Sequence, residues 1–386
     1  MGELKPGWRR VKFGEVVRLG KERCEPVADG IGRYIGLEHM EPGDLRVRSW
    51  GEVSNGTTFT TRVRSGHVLF GKRRAYQRKV AVADFDAVCS GDIYVFESAN
   101  PARLLPDLLP FLCQTDAFFD YAVGTSAGSL SPRTTWTSLA EYEFALPPID
   151  EQRRAVALYQ AQVSALEGLK EAQELADALA RSLAHSLTQA GPMRPLGGMA
   201  TFVTSGSRGW AEHYSESGAW FVRVTNLLPS SIRLDLTDLK FVRPPTGAEG
   251  TRTRVQPRDV LVAITGEYLG MIALAPPDIP EAYVNQHVAV VRIDPALGDP
   301  RFVAYALTSP AAQRQVWARN DGGTKPGMTL GQVKSLPVPD IPLSKQRRIA
   351  DILDEAEGVR LALSRRRQSG AELYRASLNR LTRLES

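Results

Sequence analysis

A run of basic side chains near residue 70 is the part of this sequence best suited to chemistry with a charged ligand. Seven lysines and arginines fall within 18 residues, and no acidic residue occurs between Glu52 and Asp84. The seven are Arg62, Arg64, Lys72, Arg73, Arg74, Arg78 and Lys79. Like charges at this density repel one another without counter-ions, which favours a binding surface for a polyanion. A solvated, highly charged loop is the alternative interpretation.

Motifs for catalysis are absent from the sequence. It has no GxxxxGK[ST] or GxGxxG phosphate loop and no Asn-Pro-Pro-Tyr or Asp-Pro-Pro-Tyr, which would hold a flipped adenine in an amino-methyltransferase. The five histidines are scattered singly, without a spacing typical of zinc sites. Asp150 and Glu151 are interpreted as acids at a helix start. The sequence therefore predicts a protein that recognises its ligand without catalysing a reaction or holding a metal.

The sequence is duplicated over most of its length. Two Gln-Arg-Arg triplets, which begin at Gln152 and Gln346, lie 194 positions apart, and each opens a long helical stretch. Further back, Tyr76 matches Tyr268 at an offset of 192. A repeat of this length predicts one globular domain followed by one long helix, twice over.

The predicted fold class is mixed α/β (α+β), with two similar domains and two long helices. The predicted boundaries are 1–147 and 191–340 for the domains, and 148–190 and 341–386 for the helices. Turn residues delimit predicted strands at Arg33 to Leu37, His67 to Gly71, Val80 to Ala83, Asp92 to Glu97, Trp220 to Val224, Asp259 to Ile264, Met271 to Ala275 and His287 to Ile293. One helix is expected in each domain, from Leu105 to Tyr121 and from Pro300 to Trp317.

The two long helices are predicted from apolar residues that recur every three or four positions. The first stripe includes Val156, Tyr159, Val163, Leu166, Leu175, Leu179, Leu183 and Leu187, and the second includes Ile349, Ile352, Ala356, Val359, Leu363, Leu373 and Leu381. A helix of 40 residues would be about 60 Å long. We expect the two helices to pair as an antiparallel coiled coil with pseudo-twofold symmetry. The alternative is that each helix packs only on its own domain.

Composition places the chain among ordinary folded proteins. It has 386 residues, 43% of them apolar, and a net charge of +5. No apolar run approaches the 18 residues of a membrane span, and no apolar leader is expected at the start. The three cysteines show no CxxC spacing, which is typical of free thiols in a reducing cytoplasm.

The duplicated helix entry and its surroundings resemble a known family. The residues that carry the resemblance are Leu146 to Arg154, Ile341 to Arg348, Gly66 to Phe70, Arg258 to Val262 and Ala282 to Ala289. Together, in this order, they are similar to the specificity subunit of type I restriction-modification systems. The resemblance covers nearly the whole chain.

The resemblance implies both a function and partners. Each domain would read one half of a split target in double-stranded DNA, and the length of the coiled coil would fix the gap between half-sites. The helices would dock two methyltransferase subunits, and the resemblance leaves open whether a restriction or translocase subunit joins them. S-adenosylmethionine, ATP and magnesium are expected on those partner subunits and no cofactor in this chain. Gln152, Arg153, Gln346 and Arg347 are the predicted partner-binding residues.

DNA contacts are expected from basic and polar residues in both domains. Cationic side chains neutralise phosphates, arginine can pair with guanine, and glutamine can pair with adenine. The candidates in the first domain are Arg62, Arg64, Lys72, Arg73, Arg74, Tyr76, Gln77, Arg78, Lys79 and Arg133. Those in the second are Ser205, Ser207, Arg208, Arg252, Arg254, Arg258, Tyr268, Asn285, Gln286 and Lys325. The second domain lacks the basic run, so the two domains should read different sequences.

Several of these residues have a plainer interpretation. Asn285 and Gln286 could serve only as structural hydrogen-bonding residues, and the matched loops that contain Arg133 and Lys325 could simply turn the chain. Two other functions also fit parts of the sequence. One is the recognition part of a fused methyltransferase-nuclease, and the other is a coiled-coil adaptor that does not bind DNA.

Overall fold

Two structural units divide the chain, and both divisions fall within a long helix. The structure, a computed structural model, describes residues 4–188, 191–206, 208–229, 231–244, 248–319 and 326–381. The first unit comprises the chain up to Lys170 together with the part after Arg365, and the second comprises Glu171–Arg365. Each unit therefore holds one domain and a section of each long helix.

The first unit contains three sheets and several short helices. Its strands are β1 (Arg9–Lys12), β2 (Val17–Leu19), β3 (Arg33–Ile35), β4 (Gly51–Glu52), β5 (Thr61–Val63), β6 (Val68–Gly71), β7 (Val80–Val82), β8 (Ala87–Cys89), β9 (Ile93–Ser98) and β10 (Glu143–Leu146). Its short helices are α1 (Phe13–Val16), α2 (Leu109–Cys113), α3 (Asp116–Gly124) and α4 (Trp136–Ala140), and the long helix α5 (Ile149–Thr188) follows. The sheet orders are β2-β9-β6-β7, β4-β3-β8-β5 and β1-β10.

An aromatic cluster forms much of the core of the first unit. Phe13 packs edge-on against Phe96 with 5.3 Å between ring centroids, and Phe70 lies 5.5 Å from Phe118. Strand β6 is buried on both faces, since Phe70 enters this cluster and Leu69 enters a second apolar cluster. Strand β6 ends at Gly71, so the residues that follow are held by a rigid scaffold.

The second unit repeats this plan. Its strands are β11 (Met193–Pro195), β12 (Ala200–Ser205), β13 (Tyr214–Ser215), β14 (Ala219–Val222), β15 (Lys240–Val242), β16 (Val260–Ala263), β17 (Ile272–Leu274), β18 (Ala282–Val284), β19 (Val288–Ile293) and β20 (Pro337–Pro339). Its helices are α6 (Ala248–Thr253), α7 (Pro300–Thr308), α8 (Pro310–Ala318), α9 (Leu330–Lys334) and the long α10 (Leu343–Leu381). The sheet orders are β12-β19-β16-β17, β13-β15-β14-β18 and β11-β20.

The two domains share their strand pairing as well as their element order. Strand β6 pairs antiparallel with β7 and β9, and β16 pairs in the same way with β17 and β19. Each domain also has one parallel pair, β3 with β8 and β14 with β18. The predictions of a mixed fold and of a duplicated domain are confirmed.

Both predicted domain helices were wrong in one respect, because each is interrupted. The expected helix from Leu105 to Tyr121 is broken after Cys113, where Thr115 caps α3 by accepting from the Phe118 amide. The expected helix from Pro300 to Trp317 breaks at Ser309, whose side chain caps α8. Pro310 has no amide hydrogen to continue α7, and it suits the first turn of a new helix.

The long helices run antiparallel within each unit. In the first unit the Tyr159 hydroxyl donates to the Ser377 carbonyl (3.2 Å), and the Ser377 hydroxyl bonds Gln162 (2.9 Å). In the second unit Arg360 Nε donates to Asp177 (2.6 Å). The early part of α5 thus lies beside the late part of α10, and the late part of α5 lies beside the early part of α10.

Several residues of the predicted apolar stripes do not enter this pairing. In the second unit Leu175 is 72% exposed, Leu179 58% and Val359 56%, and in the first unit Leu373 is 64% exposed. The helices are therefore in contact along only part of each expected stripe, and they leave apolar side chains uncovered in each unit. Within the described ranges, no helix combines the length and the apolar character needed to cross a bilayer.

Candidate nucleic-acid interface

Two adjoining loops form the candidate interface of the first unit. The arginine loop, Lys72–Lys79, follows β6, and the support loop, Ala127–Thr134, precedes α4. The Arg74 amide donates to the Pro132 carbonyl at 2.7 Å, and the Thr134 amide donates to the Lys72 carbonyl at 3.1 Å. Arg73 and Arg133 also form an antiparallel β-bridge. The structure therefore brings Arg133 together with the basic run.

The second unit repeats the hydrogen bonds that join these two segments. The glycine loop, Ile264–Met271, follows β16. The Gly266 amide donates to the Pro326 carbonyl at 2.8 Å, and the Met328 amide donates to the Ile264 carbonyl at 2.9 Å. These bonds match those of the first unit residue by residue. Positions in the glycine loop are offset by 192 from the arginine loop, and Pro326 and Met328 are offset by 194 from the support loop.

Both loops turn through left-handed backbone at equivalent positions. Arg74 has φ 54° and Arg78 has φ 56°, while Gly266 has φ 74° and Gly270 has φ 84°. Between these positions, the Gln77 amide donates to the Arg74 carbonyl (2.9 Å) and the Leu269 amide donates to the Gly266 carbonyl (3.1 Å). Glycine adopts this conformation without strain, whereas arginine does not. The first unit therefore carries two arginines on a backbone that glycine would fit more easily.

Acidic residues distant in sequence neutralise much of the basic run. Arg73 and Arg133 share Asp92, at 3.4 Å and 2.9 Å. Burial raises the pKa of the Asp92 carboxyl, but hydrogen bonds and charges from Arg133 and Arg73 outweigh this effect and leave the pKa below its usual value. Arg64 pairs with Glu22 (2.7 Å), and Arg62 lies 3.5 Å from Asp86.

Arg78 and Lys79 also have partners within the first unit. Arg78 bonds Asp116 (2.6 Å) and the Gln114 carbonyl (3.2 Å), and the Lys79 ammonium donates to the Leu37 carbonyl (2.7 Å). These two side chains are thus occupied in holding the loop. The repulsion expected within the basic run is therefore relieved largely inside the protein.

Four residues of the arginine loop remain available for a ligand. Arg74 and Lys72 form no ion pair among the described residues, although the Lys72 ammonium lies 4.8 Å from the Tyr94 ring. Tyr76 is 54% exposed, and Gln77 is half-buried beside it. The loop therefore offers two cations, one amide and one aromatic ring.

Asp116 connects the arginine loop to α10 within the first unit. Its carboxylate accepts from Arg78, from Arg375 Nη2 (3.0 Å) and from Asn379 Nδ2 (2.6 Å). Burial raises the pKa of Asp116, but these hydrogen bonds and the two arginine charges outweigh it and hold the pKa below its usual value. No sequence pattern points to this acid, which lies far along the chain from the basic run.

The second unit surrounds its glycine loop with polar groups. Thr265 Oγ1 lies 2.6 Å from His287 Nδ1, and Gln286 Nε2 lies 2.9 Å from His287 Nε2. The Asn285 side chain accepts from the His287 amide (3.1 Å). Asn285 and Gln286 are thus brought beside the loop that carries Tyr268, and part of their hydrogen-bonding capacity is already used.

The other residues of the second unit that were predicted to contact DNA are not gathered at the glycine loop. Arg252 bonds the Thr204 hydroxyl (2.7 Å) and the Ser205 carbonyl (2.9 Å), which joins these candidates. Arg208, Arg254 and Arg258 are exposed. Ser207 and Lys325 lie outside the described residues.

The two glutamines predicted to bind partners are buried. Gln152 accepts from the Leu105 amide (2.9 Å) and donates to the carbonyls of Arg103 (2.8 Å) and Pro147 (2.8 Å). Each side chain is closed off inside its own unit and has no surface to offer a partner in this structure. By contrast, the neighbouring Arg153 and Arg347 are exposed.

Gln346 makes the same bonds in the second unit. It accepts from the Asp299 amide (2.9 Å) and donates to the carbonyls of Ile341 (2.9 Å) and Leu297 (3.5 Å). Each of these partners is offset by 194 from its counterpart. The two glutamines therefore fasten the start of each long helix to its domain.

Comparison with known proteins agrees with this duplicated architecture. Residues 249–372 match the family model described as the type I restriction modification DNA specificity domain. This part of the chain is therefore similar to that DNA specificity domain. The chain is also 24% identical over 158 residues to the EcoDI specificity subunit of a type I restriction enzyme of Escherichia coli. That alignment covers 39% of this chain and 33% of the subunit.

Two solved structures share the fold over their full length. The type I S subunit of M. genitalium has a TM-score of 0.64 at 16% identity, and all of both chains is covered. A chain from a structure on complex assembly and conformational transition of the type I R-M system has a TM-score of 0.62 at 20% identity, again with full coverage. The resemblance inferred from the duplicated motifs is confirmed.

Within the ranges that the structure describes, no group of three or more histidine, cysteine, aspartate or glutamate side chains is placed to hold a metal ion.

Proposed function

We propose that this chain is the DNA-specificity subunit of a type I restriction-modification complex and reads a split target in double-stranded DNA. The observation that carries the proposal is the paired-loop arrangement, which is built twice with the same backbone hydrogen bonds and with different side chains. Two equivalent supports with unlike side chains suit a target of two unlike half-sites. The family match over residues 249–372 gives independent support.

In the first unit, the arginine loop would supply the contacts to one half-site. Lys72 is free to neutralise a phosphate, and the side chains of Arg74, Tyr76 and Gln77 are available to reach base edges. Arg73, Arg78, Lys79 and Arg133 would chiefly hold the loops in shape, because each is already bonded to an acid or a carbonyl. Arg62 and Arg64 lie outside the two loops and are paired with Glu22 and Asp86. Fixed loops lose little conformational freedom on binding.

In the second unit, the contacts would be mainly polar. Tyr268 and Glu267 lie on the glycine loop, and Asn285 and Gln286 lie beside it. Glutamine and asparagine pair two-pronged with adenine, so an adenine-containing half-site fits these side chains. The exposed Arg208, Arg254 and Arg258 would supply phosphate contacts.

The same proposal assigns the chemistry to other subunits. Two methyltransferase subunits, with S-adenosylmethionine, would dock against the long helices, where exposed leucines are found in each unit. A restriction or translocase subunit would bring ATP and magnesium. This chain would act in the cytoplasm and position those subunits, without itself catalysing a reaction.

Selection from a random double-stranded DNA library with the purified full-length chain, followed by sequencing, tests the proposal. We expect an enriched motif of two short blocks separated by a fixed spacer. Binding of a duplex with that motif should weaken steeply with salt, since phosphate contacts release counter-ions. Enrichment of no motif, or salt-insensitive binding, would argue against recognition by this chain.

Loop variants assign the half-sites. The double variant Lys72→Gln with Tyr76→Ala should change one block and leave the other intact. The matched control is Arg366→Gln with Arg367→Gln, which removes two cations from α10 far along the chain from the loop and should leave both blocks unchanged.

A further inference from the structure

Two positions of the arginine loop have left-handed backbone and yet carry arginine. At the equivalent positions the second unit has Gly266 and Gly270, the residue type that this backbone favours. Arginine at Arg74 and Arg78 is strained by its backbone conformation. The strain indicates that each arginine side chain makes an interaction that offsets it.

For Arg78 the offsetting interactions lie within the protein. Its guanidinium bonds Asp116 at 2.6 Å and the Gln114 carbonyl at 3.2 Å, and it lies 4.4 Å from the centroid of the Phe119 ring. These groups fix the loop to α3. Arg78 is therefore fully accounted for as a structural residue.

For Arg74 no such partner exists among the described residues. Its Nε is buried and unbonded, and its guanidinium forms no hydrogen bond, ion pair or ring contact. Asp92, which neutralises the loops, is shared by Arg73 and Arg133 and forms no ion pair with Arg74. At the equivalent Gly266, an added Cβ would meet no atom within 4 Å, so the second unit has room for a side chain where it carries none.

We infer that Arg74 donates to the edge of a base, and that it determines the specificity of the half-site read by the first unit. This inference rests on the proposed function. The backbone around Arg74 and Gly266 is the same, so a shared phosphate contact would call for the same side chain in both units. A side chain that differs on an unchanged scaffold instead suits the reading of sequence. The base with two acceptors spaced for a guanidinium is guanine.

The test is Arg74→Gly, which keeps the backbone conformation that Gly266 shows. The full-length variant and the wild type are taken through the same selection from random duplex DNA. We expect the variant to lose its preference at one guanine position in one block, while the other block is unchanged. Affinity for a duplex with the wild-type motif should fall about fivefold to a hundredfold. The unfolding midpoint should equal or exceed that of the wild type.

Two further variants make the result interpretable. Arg74→Lys keeps the charge but cannot pair two-pronged, so it should also lose the guanine preference while the dependence of binding on salt is kept. Arg78→Gly should lower the unfolding midpoint, because it loses Asp116, and should weaken binding while the enriched motif keeps its guanine preference.

Two outcomes would overturn the inference. One is an unchanged motif with Arg74→Gly. The other is uniform weakening on all duplexes with a smaller salt dependence, which would mark a phosphate contact. If the wild type itself enriches no motif, the proposed function fails, and this result is distinct from both outcomes.

Discussion

At the scale of single residues, the buried glutamines show how a polar triplet can hold a domain to a helix. A glutamine amide can accept and donate at once, so it satisfies one backbone amide and two carbonyls that would otherwise be buried without partners. The repeated Gln-Arg-Arg triplet was visible in the sequence. Its role was not, because burial of Gln152 depends on contacts with Arg103 and Leu105, which lie almost 50 residues earlier.

The glutamine contacts predict a large loss of stability on truncation. Gln152→Ala should lower the free energy of unfolding of the first unit by about 2 to 4 kcal/mol, because three buried backbone groups lose their partner. Chemical denaturation followed by tryptophan fluorescence measures the change. The neighbouring Arg153→Ala, at an exposed site, should stay within about 0.5 kcal/mol of the wild type. Equal effects from the two variants would contradict the assigned role.

Asp116 predicts how stability depends on pH. Its pKa in the folded protein lies below the usual 3.8. A lowered folded pKa gives stability that is present above the usual value and is lost as the pH falls through the folded value. The free energy of unfolding should therefore decrease as the pH is lowered from about 5 through the acidic range.

Asp116→Asn isolates that contribution. It should be less stable than the wild type at neutral pH, and its decline in acid should be shallower. Denaturation curves recorded across the pH range provide the measurement. Asp120→Asn, at an exposed position on the same helix, should keep the wild-type profile. A profile for Asp116→Asn parallel to that of the wild type would rule out this account of the carboxylate.

At the scale of elements, periodicity predicted the helices better than it predicted their ends and contacts. Helix α5 was expected over 148–190 and is observed over Ile149–Thr188. The prediction of one helix from Pro300 to Trp317 failed because it took no account of Pro310, which cannot continue a hydrogen-bonded turn. Apolar spacing also cannot tell which stripe residues face another helix of the chain and which stay exposed, because both sets share one period.

The exposed leucines of α5 predict a protein contact. Leu175→Glu with Leu179→Glu should leave the unfolding free energy within about 0.5 kcal/mol of the wild type, because both side chains are already exposed. It should abolish co-purification with the methyltransferase subunit encoded beside this chain. Leu175→Met with Leu179→Met keeps the apolar surface and should retain the subunit. Full retention by the glutamate variant would place the docking surface elsewhere.

At the scale of the whole molecule, the duplication was the feature that the sequence made most visible. It correctly predicted the mixed fold, the repeated domain and the two long helices. Less of the candidate site could be predicted from the sequence. Matching Arg74 with Gly266 and Arg78 with Gly270 was possible from the offset of 192 alone, but their left-handed backbone was not. Nor could the sequence show that Glu22, Asp86, Asp92 and Asp116 neutralise so much of the basic run.

Sequence patterns predict the elements better than the ion pairs for a physical reason. Local patterns record which residues face a core, since the period of a helix or strand is set by its backbone. Ion pairs between side chains far apart in sequence depend instead on how the sheets fold together. Lys72 and Arg74 differ from the other cations of the run because they have no acidic partner among the described residues, and this difference is visible only in the folded structure.

The most direct test of the central claim is single-molecule sequencing of adenine methylation in a host without such systems. This chain would be expressed there with the methyltransferase subunit encoded beside it. We expect a methylated motif in two blocks, of which Arg74→Gly alters one and leaves the other unchanged. A soluble complex of the two subunits that methylates no split motif, or a variant that changes both blocks together, would contradict it.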